Sequence, residues 1–290
     1  MPNTELLRRL FALLQPQRLT QIVDIGANPI DGPPPYQPLI DSGLCHLTGF
    51  EPQAEALAAL QARQSPFETY LPYAVGDGAE MVLNICNYSG WTSLLVPDET
   101  SLAVFDAWQE NAAVVGQVTV PTRRLNSIAE ISHIDLLKID IQGGELAVFR
   151  NGKKKLSKAV AIQTEVSFVP MYKDQPTFGE IDAELRKLGF IPHHMTGVKK
   201  GIISPFRLNN NPWTTINQLV ETDMIYVKDF RRMDLLDDEQ LKQLCMVAHG
   251  CYGSFDLAYR CVLDLEQRGA LAAGSEQVYL VIVNDTMASA

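Results

Sequence analysis

Leu6, Leu7, Leu10, Phe11 and Leu14 recur with a helical period, predicting a helix over residues 4–15 with Thr4 as its cap and Pro16 as its stop. The pattern then changes to short apolar runs. Residues 19–25 and 44–50 read as core strands, 54–64 as the helix that follows, 67–75 as a third strand, and 82–86 as an antiparallel addition. From 87 to 121 the pattern loosens into polar turns around Trp91 and Trp108. It tightens again at 134–139, an apolar strand interrupted only by Asp135 and Lys138, and at 159–166, a strand that carries Glu165 near its end. Residues 178–187 have helical spacing and 224–227 suggest a late strand. The tail over 237–269 reads as mostly helical on a Leu241, Leu244, Val247 stripe with a break at 250–253, and 278–283 as a closing strand.

Short apolar runs separated by helix and turns predict an α/β sheet rather than a helical bundle. Its mostly parallel core is expected over residues 19–236, with an N-terminal helical segment at 1–18 and a helical extension at 237–290 packed on the core. A length of 290 residues with 46% hydrophobic composition suits one large α/β domain with a modest appendage. The formal charges, 24 positive against 34 negative for a net of -10, argue against a nucleic-acid surface. Cys45, Cys86, Cys245, Cys251 and Cys261 form no close pair, so reduced thiols in a cytoplasmic setting are expected. No run approaches a membrane span, and no long apolar leader follows Glu5, Arg8 and Arg9.

Chemistry concentrates at strand ends. Val23-Asp24-Ile25-Gly26-Ala27-Asn28 closes the first strand on an acidic, glycine-containing turn, and Gly49-Phe50-Glu51 closes the second about one βαβ unit later. That spacing suggests a nucleoside-bearing cofactor, with Glu51 accepting from ribose hydroxyls. Asn28-Pro29-Ile30 stands where a dinucleotide fingerprint needs its later glycines, so a cofactor without a pyrophosphate fits better than a nicotinamide. A second anchor is Asp140-Ile141-Gln142-Gly143-Gly144-Glu145, beyond the 134–139 strand.

VDIGAN at 23–28, FEP at 50–52, AVGD at 74–77, IDLLKIDIQGGE at 134–145 and TEVSFVPMY at 164–172, in this order, resemble the FkbM family of S-adenosylmethionine-dependent methyltransferases. The resemblance runs from about Leu19 to Phe190. It implies a Rossmann-like class I methyltransferase sheet, S-adenosylmethionine as cofactor, and methyl transfer to oxygen, commonly a hydroxyl of a small molecule, natural product or sugar. Two positions depart from the family's habit of acids: Gln142 in KIDIQG and Asn126 in RRLNSI. Both keep hydrogen-bonding shape without negative charge, so no metal role is carried over to them.

With the resemblance in hand, Asp24, Gly26 and Asn28 are expected at the methionyl part of the cofactor, Glu51 at the ribose, and Ala74, Val75 and Asp77 at the adenine. Plain turn and helix-start chemistry would account for the same residue types. Asp140, Glu145 and Glu165 are the candidate catalytic carboxylates, Asp140 also bordering the cofactor. If the 134–139 and 159–166 strands are parallel neighbours, Asp140 and Glu165 meet at one sheet edge. His194 is the leading histidine, with His193 beside it in an expected loop after Phe190 and His133 as a further base; no spacing forms a metal signature. Trp91, Tyr172 and Trp213 are candidate acceptor-side aromatics, although core packing uses the same residues. Lys153, Lys154, Lys155 and Lys158 read as a solvated helix face. A nicotinamide oxidoreductase and a catalytically idle cofactor-binding protein are the competing readings.

Overall fold

The structure, a computed structural model, describes residues 4–28 and 32–289. The shaped loop expected over 28–38 includes Pro29, Ile30 and Asp31, which lie outside the described residues. Helix α1 (Thr4–Leu14) buries Leu6, Leu7, Leu10 and Leu14, as its period requires. Each leucine so buried contributes about 1.5–3 kcal/mol. There follow β1 (Thr20–Ile25), α2 (Gln37–Asp41), β2 (Cys45–Phe50), α3 (Ala54–Arg63), β3 (Glu68–Leu71), β4 (Ala74–Gly76), β5 (Glu80–Cys86), α4 (Glu99–Val104), α5 (Gln109–Ala112) and β6 (Val114–Arg124). The second half holds β7 (Leu136–Ile139), α6 (Glu145–Leu156), β8 (Ala161–Ser167), α7 (Phe178–Lys187), β9 (Phe190–Gly201), β10 (Gln218–Lys228), α8 (Asp238–Tyr252), α9 (Phe255–Gln267) and α10 (Ser275–Ala288).

A seven-stranded sheet runs β3-β2-β1-β7-β8-β10-β9. From β3 to β8 the neighbours are parallel, while β10 runs antiparallel to both β8 and β9. The carboxyl ends of β1, β2, β7 and β8 therefore share one edge. The chain order reverses between β1 and β7, where a doubly wound sheet opens its ligand crevice. Alternation along β1 divides the core: Ile22 packs with α1, α8 and α9, and Val23 and Ile25 pack with α6 and α7. The mostly parallel α/β architecture is the one expected, and the C-terminal helices share a hydrophobic cluster with α1.

Four expectations need correction. Residues 67–75 are two strands in different sheets, β3 in the main sheet and β4 in a three-stranded sheet ordered β4-β6-β5. The stretch read as polar turns contains β6, whose residues, Val114, Val115 and Val118 included, are mostly exposed, so that pairing with β4 and β5 rather than core burial holds it. The histidines after Phe190 lie on β9 rather than in a loop. Residues 278–283 belong to helix α10, which buries Tyr279 and Ile282 three residues apart; tertiary contact with α1 and α9 overrides the local β-propensity of the run. The break at 250–253 stands where expected, as Gly253 caps α8 at φ 61°.

Candidate active site

Two strand-end turns touch at the switch point. Gly26 has φ +83°, and a Cβ there would lie 2.0 Å from the backbone oxygen of Asp140, so only glycine lets the β1 and β7 turns meet. The contact is stitched by Asp140 N–H donating to Ile25 O at 3.0 Å and by Gly26 and Ala27 N–H donating to Phe50 O, each at 3.1 Å. Above this seam opens a cavity of about 1030 Å³.

On the β1 side, Asp24 is 2% exposed. It accepts from the Tyr36 hydroxyl, and Lys138 Nζ approaches its other oxygen at 3.5 Å. Burial raises the Asp24 pKa, against the pull of Lys138 and Tyr36. Burial works against the charge of Lys138, but Asp24, Asp140 and Asp223 outweigh it and hold that pKa up. Both charged residues of the β7 segment are thus explained: Lys138 meets Asp24, and Asp135 accepts from Arg18 Nη2 at 2.8 Å. Beyond Asp24, the turn presents Gly26, Ala27 and Asn28 in the cavity wall. Glu51 is buried in the same wall, with Oε1 accepting from Gln53 N–H at 2.8 Å. Burial raises its pKa. Ala74 and Val75 line the cavity; Asp77 does not, being exposed and turned to the N–H of Ala79.

On the β7 side, Gln142 joins the acids. At φ +57° its side chain donates to Asp140 Oδ1 at 2.7 Å and lies 3.4 Å from Glu165 Oε2, while Oε1 accepts from the Tyr172 hydroxyl at 3.0 Å. An amide donor between two carboxylates relieves a repulsion that a third acid would aggravate. The sheet order brings Asp140 and Glu165 together on adjacent parallel strands. Burial, then Glu221 and Asp140, push Glu165 well above the usual carboxylate range. Lys199 Nζ sits 2.6 Å from Glu221 and 3.9 Å from Glu165. Glu145 lies outside the cavity lining: its Oε1 accepts from Ile141 N–H at 2.9 Å and Gly143 N–H at 3.3 Å, pinning the turn, and burial pushes its pKa up to about 7.

His194 lines the cavity from β9, whereas His193 bonds Ser254 and His133 bonds Ser132, both away from it. Trp91 and Tyr172 stand in the cavity wall with ring centroids 5.7 Å apart. Trp213 borders a neighbouring, smaller cavity instead. Among the described residues no three His, Cys, Asp or Glu side chains are grouped to hold a metal ion. Asn126 accepts from Lys155 N–H, far from this constellation in its contacts. Lys155 also donates to Ile128 O and Lys153 pairs with Glu184, so that basic run is partly engaged rather than simply solvated.

The model of the methyltransferase FkbM domain matches residues 24–192, from the Asp24 turn to the start of β9. The chain belongs to the FkbM family. It is an S-adenosylmethionine-dependent methyltransferase. Solved structures with similar folds include a precorrin-6y C5,15-methyltransferase from Geobacter metallireducens, at 10% identity over 78% of this chain and 88% of that one with a TM-score of 0.37. Another is a magnesium protoporphyrin IX methyltransferase from Synechocystis with bound S-adenosylmethionine, at 11% identity over 78% and 79% with a TM-score of 0.34. A search of curated proteins gave no match.

The cavity of this FkbM protein suits that cofactor. Its lining holds six carboxylates, Asp24, Glu51, Asp140, Glu165, Glu221 and Asp223, against Lys138 and Lys199, an electrostatic setting that favours a cationic sulfonium over a pyrophosphate. The sequence reading missed Tyr36, Lys138, Gln163, Lys199, Glu221, Asp223 and Trp108 as lining residues. A signal existed for some: Gln163 and Glu165, and again Glu221 and Asp223, are two apart and so share a face of their strands. Among the described residues no helix is long and apolar enough to cross a membrane.

Proposed function

We propose that this methyltransferase acts on a hydroxyl oxygen of a small-molecule or glycan acceptor. The carrying observation is the half-buried Asp140 and Gln142 bonded toward the buried Glu165, beside the Trp91 and Tyr172 rings. When bound, S-adenosylmethionine supplies a sulfonium-borne methyl group open to in-line attack by oxygen. The Gly26 to Asn28 backbone holds its methionyl end, with Asp24 fixing that turn through Tyr36 and Lys138. Glu51 takes the ribose hydroxyls on its carboxylate, and Ala74 and Val75 border the adenine.

Asp140 orients the acceptor hydroxyl and Glu165 accepts its proton. A raised pKa makes the Glu165 carboxylate a stronger base than an ordinary one, provided the pH leaves it ionised. His194 closes the acceptor side from β9. Glu145 acts through the turn it pins, as a positioning residue. Tyr172 fixes Gln142, which in turn keeps Asp140 and Glu165 aligned, the alignment on which methyl transfer depends.

The test is a screen of hydroxylated compounds for mass gain by one methyl group together with release of S-adenosylhomocysteine. An acceptor methylated only on nitrogen or carbon would refute oxygen transfer. With an acceptor in hand, Asp140→Asn should lower single-turnover methylation by about 10²–10⁴-fold while cofactor affinity stays within a fewfold. Equal losses in both would move Asp140 to the cofactor alone.

A further inference from the structure

Beside the main cavity lies a second of about 330 Å³, bordered by Phe105, Ala107, Trp108, Val198, Ile202 and Trp213, with Lys199, Lys200 and Thr215 at its rim among others. The two are not independent. Trp108, Val198 and Lys199 line both, so one wall separates and joins them. A run of aromatic rings leads from the carboxylates to this slot: Tyr172, bonded to Gln142, packs on Trp91 at 5.7 Å between centroids, Trp91 on Trp108 at 6.1 Å, and Trp108 on Phe105 at 5.5 Å.

The chemistry of the slot differs from that of the cavity it adjoins. Among the described residues no carboxylate lines it. Lys199 has its ammonium engaged by Glu221 at 2.6 Å, so its methylene stem is what it offers. Trp213 stands at the edge, 55% exposed, and adds its indole face to the apolar lining. Apart from Thr215 and Lys200, a sugar's hydroxyls would meet apolar side chains here, whereas a flat apolar ring would bury its surface against Trp108 and Trp213.

Resting on the oxygen-transfer reading above, we propose that the slot is an acceptor subsite for a planar aromatic body, and that the acceptor is a hydroxylated aromatic compound rather than a glycan. Its hydroxyl lies at Asp140 and Glu165 and its ring system follows the Trp91, Trp108 wall into the slot. Trp108 is the shared contact; Trp213 and Ala107 shape the far end. Specificity against sugars comes from the few hydrogen-bonding groups in the lining, and specificity for flat rings from the Phe105, Trp108 and Trp213 surfaces.

The experiment uses the full chain saturated with S-adenosylhomocysteine, so that no turnover occurs, and titrates 2-naphthol and methyl β-glucoside calorimetrically. The expected result is saturable binding of 2-naphthol and none of the glucoside. Two variants probe the slot from opposite directions: Trp213→Ala removes a wall that is largely exposed, and Ala107→Phe fills the space. Each should weaken 2-naphthol by about tenfold while S-adenosylmethionine affinity stays within twofold of wild type. Absence of saturable 2-naphthol binding, unchanged affinity in both variants, or a preference for the glucoside overturns the subsite. Methylation is then read separately, by adding S-adenosylmethionine and looking for the naphthyl methyl ether. Slot-dependent binding in a protein that methylates only nitrogen or carbon acceptors would remove the oxygen-transfer reading and leave the slot standing.

Discussion

Gly26→Ala is the substitution most sharply constrained by the structure. The added Cβ falls 2.0 Å from the Asp140 backbone oxygen and the residue sits at φ +83°. Two costs add: about 1–2 kcal/mol for an L-residue in the left-handed region, and about 1–3 kcal/mol for displacing a packed neighbour. The obstacle is backbone, which has no rotamer to escape by, so the Asp140 N–H bond to Ile25 O must yield too. A total loss of about 2–5 kcal/mol is expected. Gly269→Ala is the control, because Gly269 has φ +70° with nothing among the described residues within 4 Å of its would-be Cβ and lies outside the cavity lining, and it should show the conformational cost alone. Urea denaturation of both variants, followed by circular dichroism, isolates the contact by difference, and calorimetry with S-adenosylmethionine on the folded proteins reads the site. Gly26→Ala should be the less stable of the two and should bind the cofactor at least tenfold more weakly, since the turn that carries Asn28 and Asp140 has been forced apart. If the two variants lose equal stability and Gly26→Ala keeps wild-type cofactor affinity, the close approach of the turns is not what requires glycine.

Glu51→Ala should weaken S-adenosylmethionine by about 10–100-fold in titration calorimetry, the loss expected for a charged acceptor of two hydroxyls, with the circular dichroism spectrum retained; unchanged affinity would free Glu51 from the ribose. Glu165→Gln should remove proton acceptance and so flatten the rise of single-turnover rate with pH that wild type shows above the ordinary carboxylate range, the direction in which burial moves this group; an unaltered profile would assign the proton elsewhere. Glu145→Gln keeps an acceptor for Ile141 and Gly143 but removes the charge. Because the folded pKa is raised from 4.5 to about 7, the wild-type fold binds more protons than the unfolded chain in that window and loses stability as pH rises through it. The variant should therefore match wild type near pH 4.5 and exceed it by about 3 kcal/mol at pH 8 in urea titrations; a gap independent of pH would refute the burial argument.

Local chemistry determined much of this protein from the sequence alone. The leucine period of α1, the core strands β1, β2, β7 and β8, the turns at Gly26 and Glu51, and the helix stop at Gly253 all follow from interactions between residues close in the chain, where periodicity and turn preference act directly. The pairing of Asp140 with Glu165 was legible as a condition on two strands being neighbours. What the chain could not announce is what depends on partners distant in sequence. The exposed strands β6 and β9 exist because of the strands they pair with, and α10 is a helix because α1 and α9 offer it an apolar surface, against its own β-branched residues. The same holds within the site. Lys138 looked like an interruption of a strand until Asp24 stood beside it, Gln142 like a lost acid until it lay between two carboxylates, and Trp213 like a wall of the main cavity until the β9 to β10 segment carried it to the neighbouring slot. Residue type sets what a side chain can do, and only the tertiary structure sets what it meets, because burial, charge neighbours and close backbone approach arise between segments that the sequence keeps far apart.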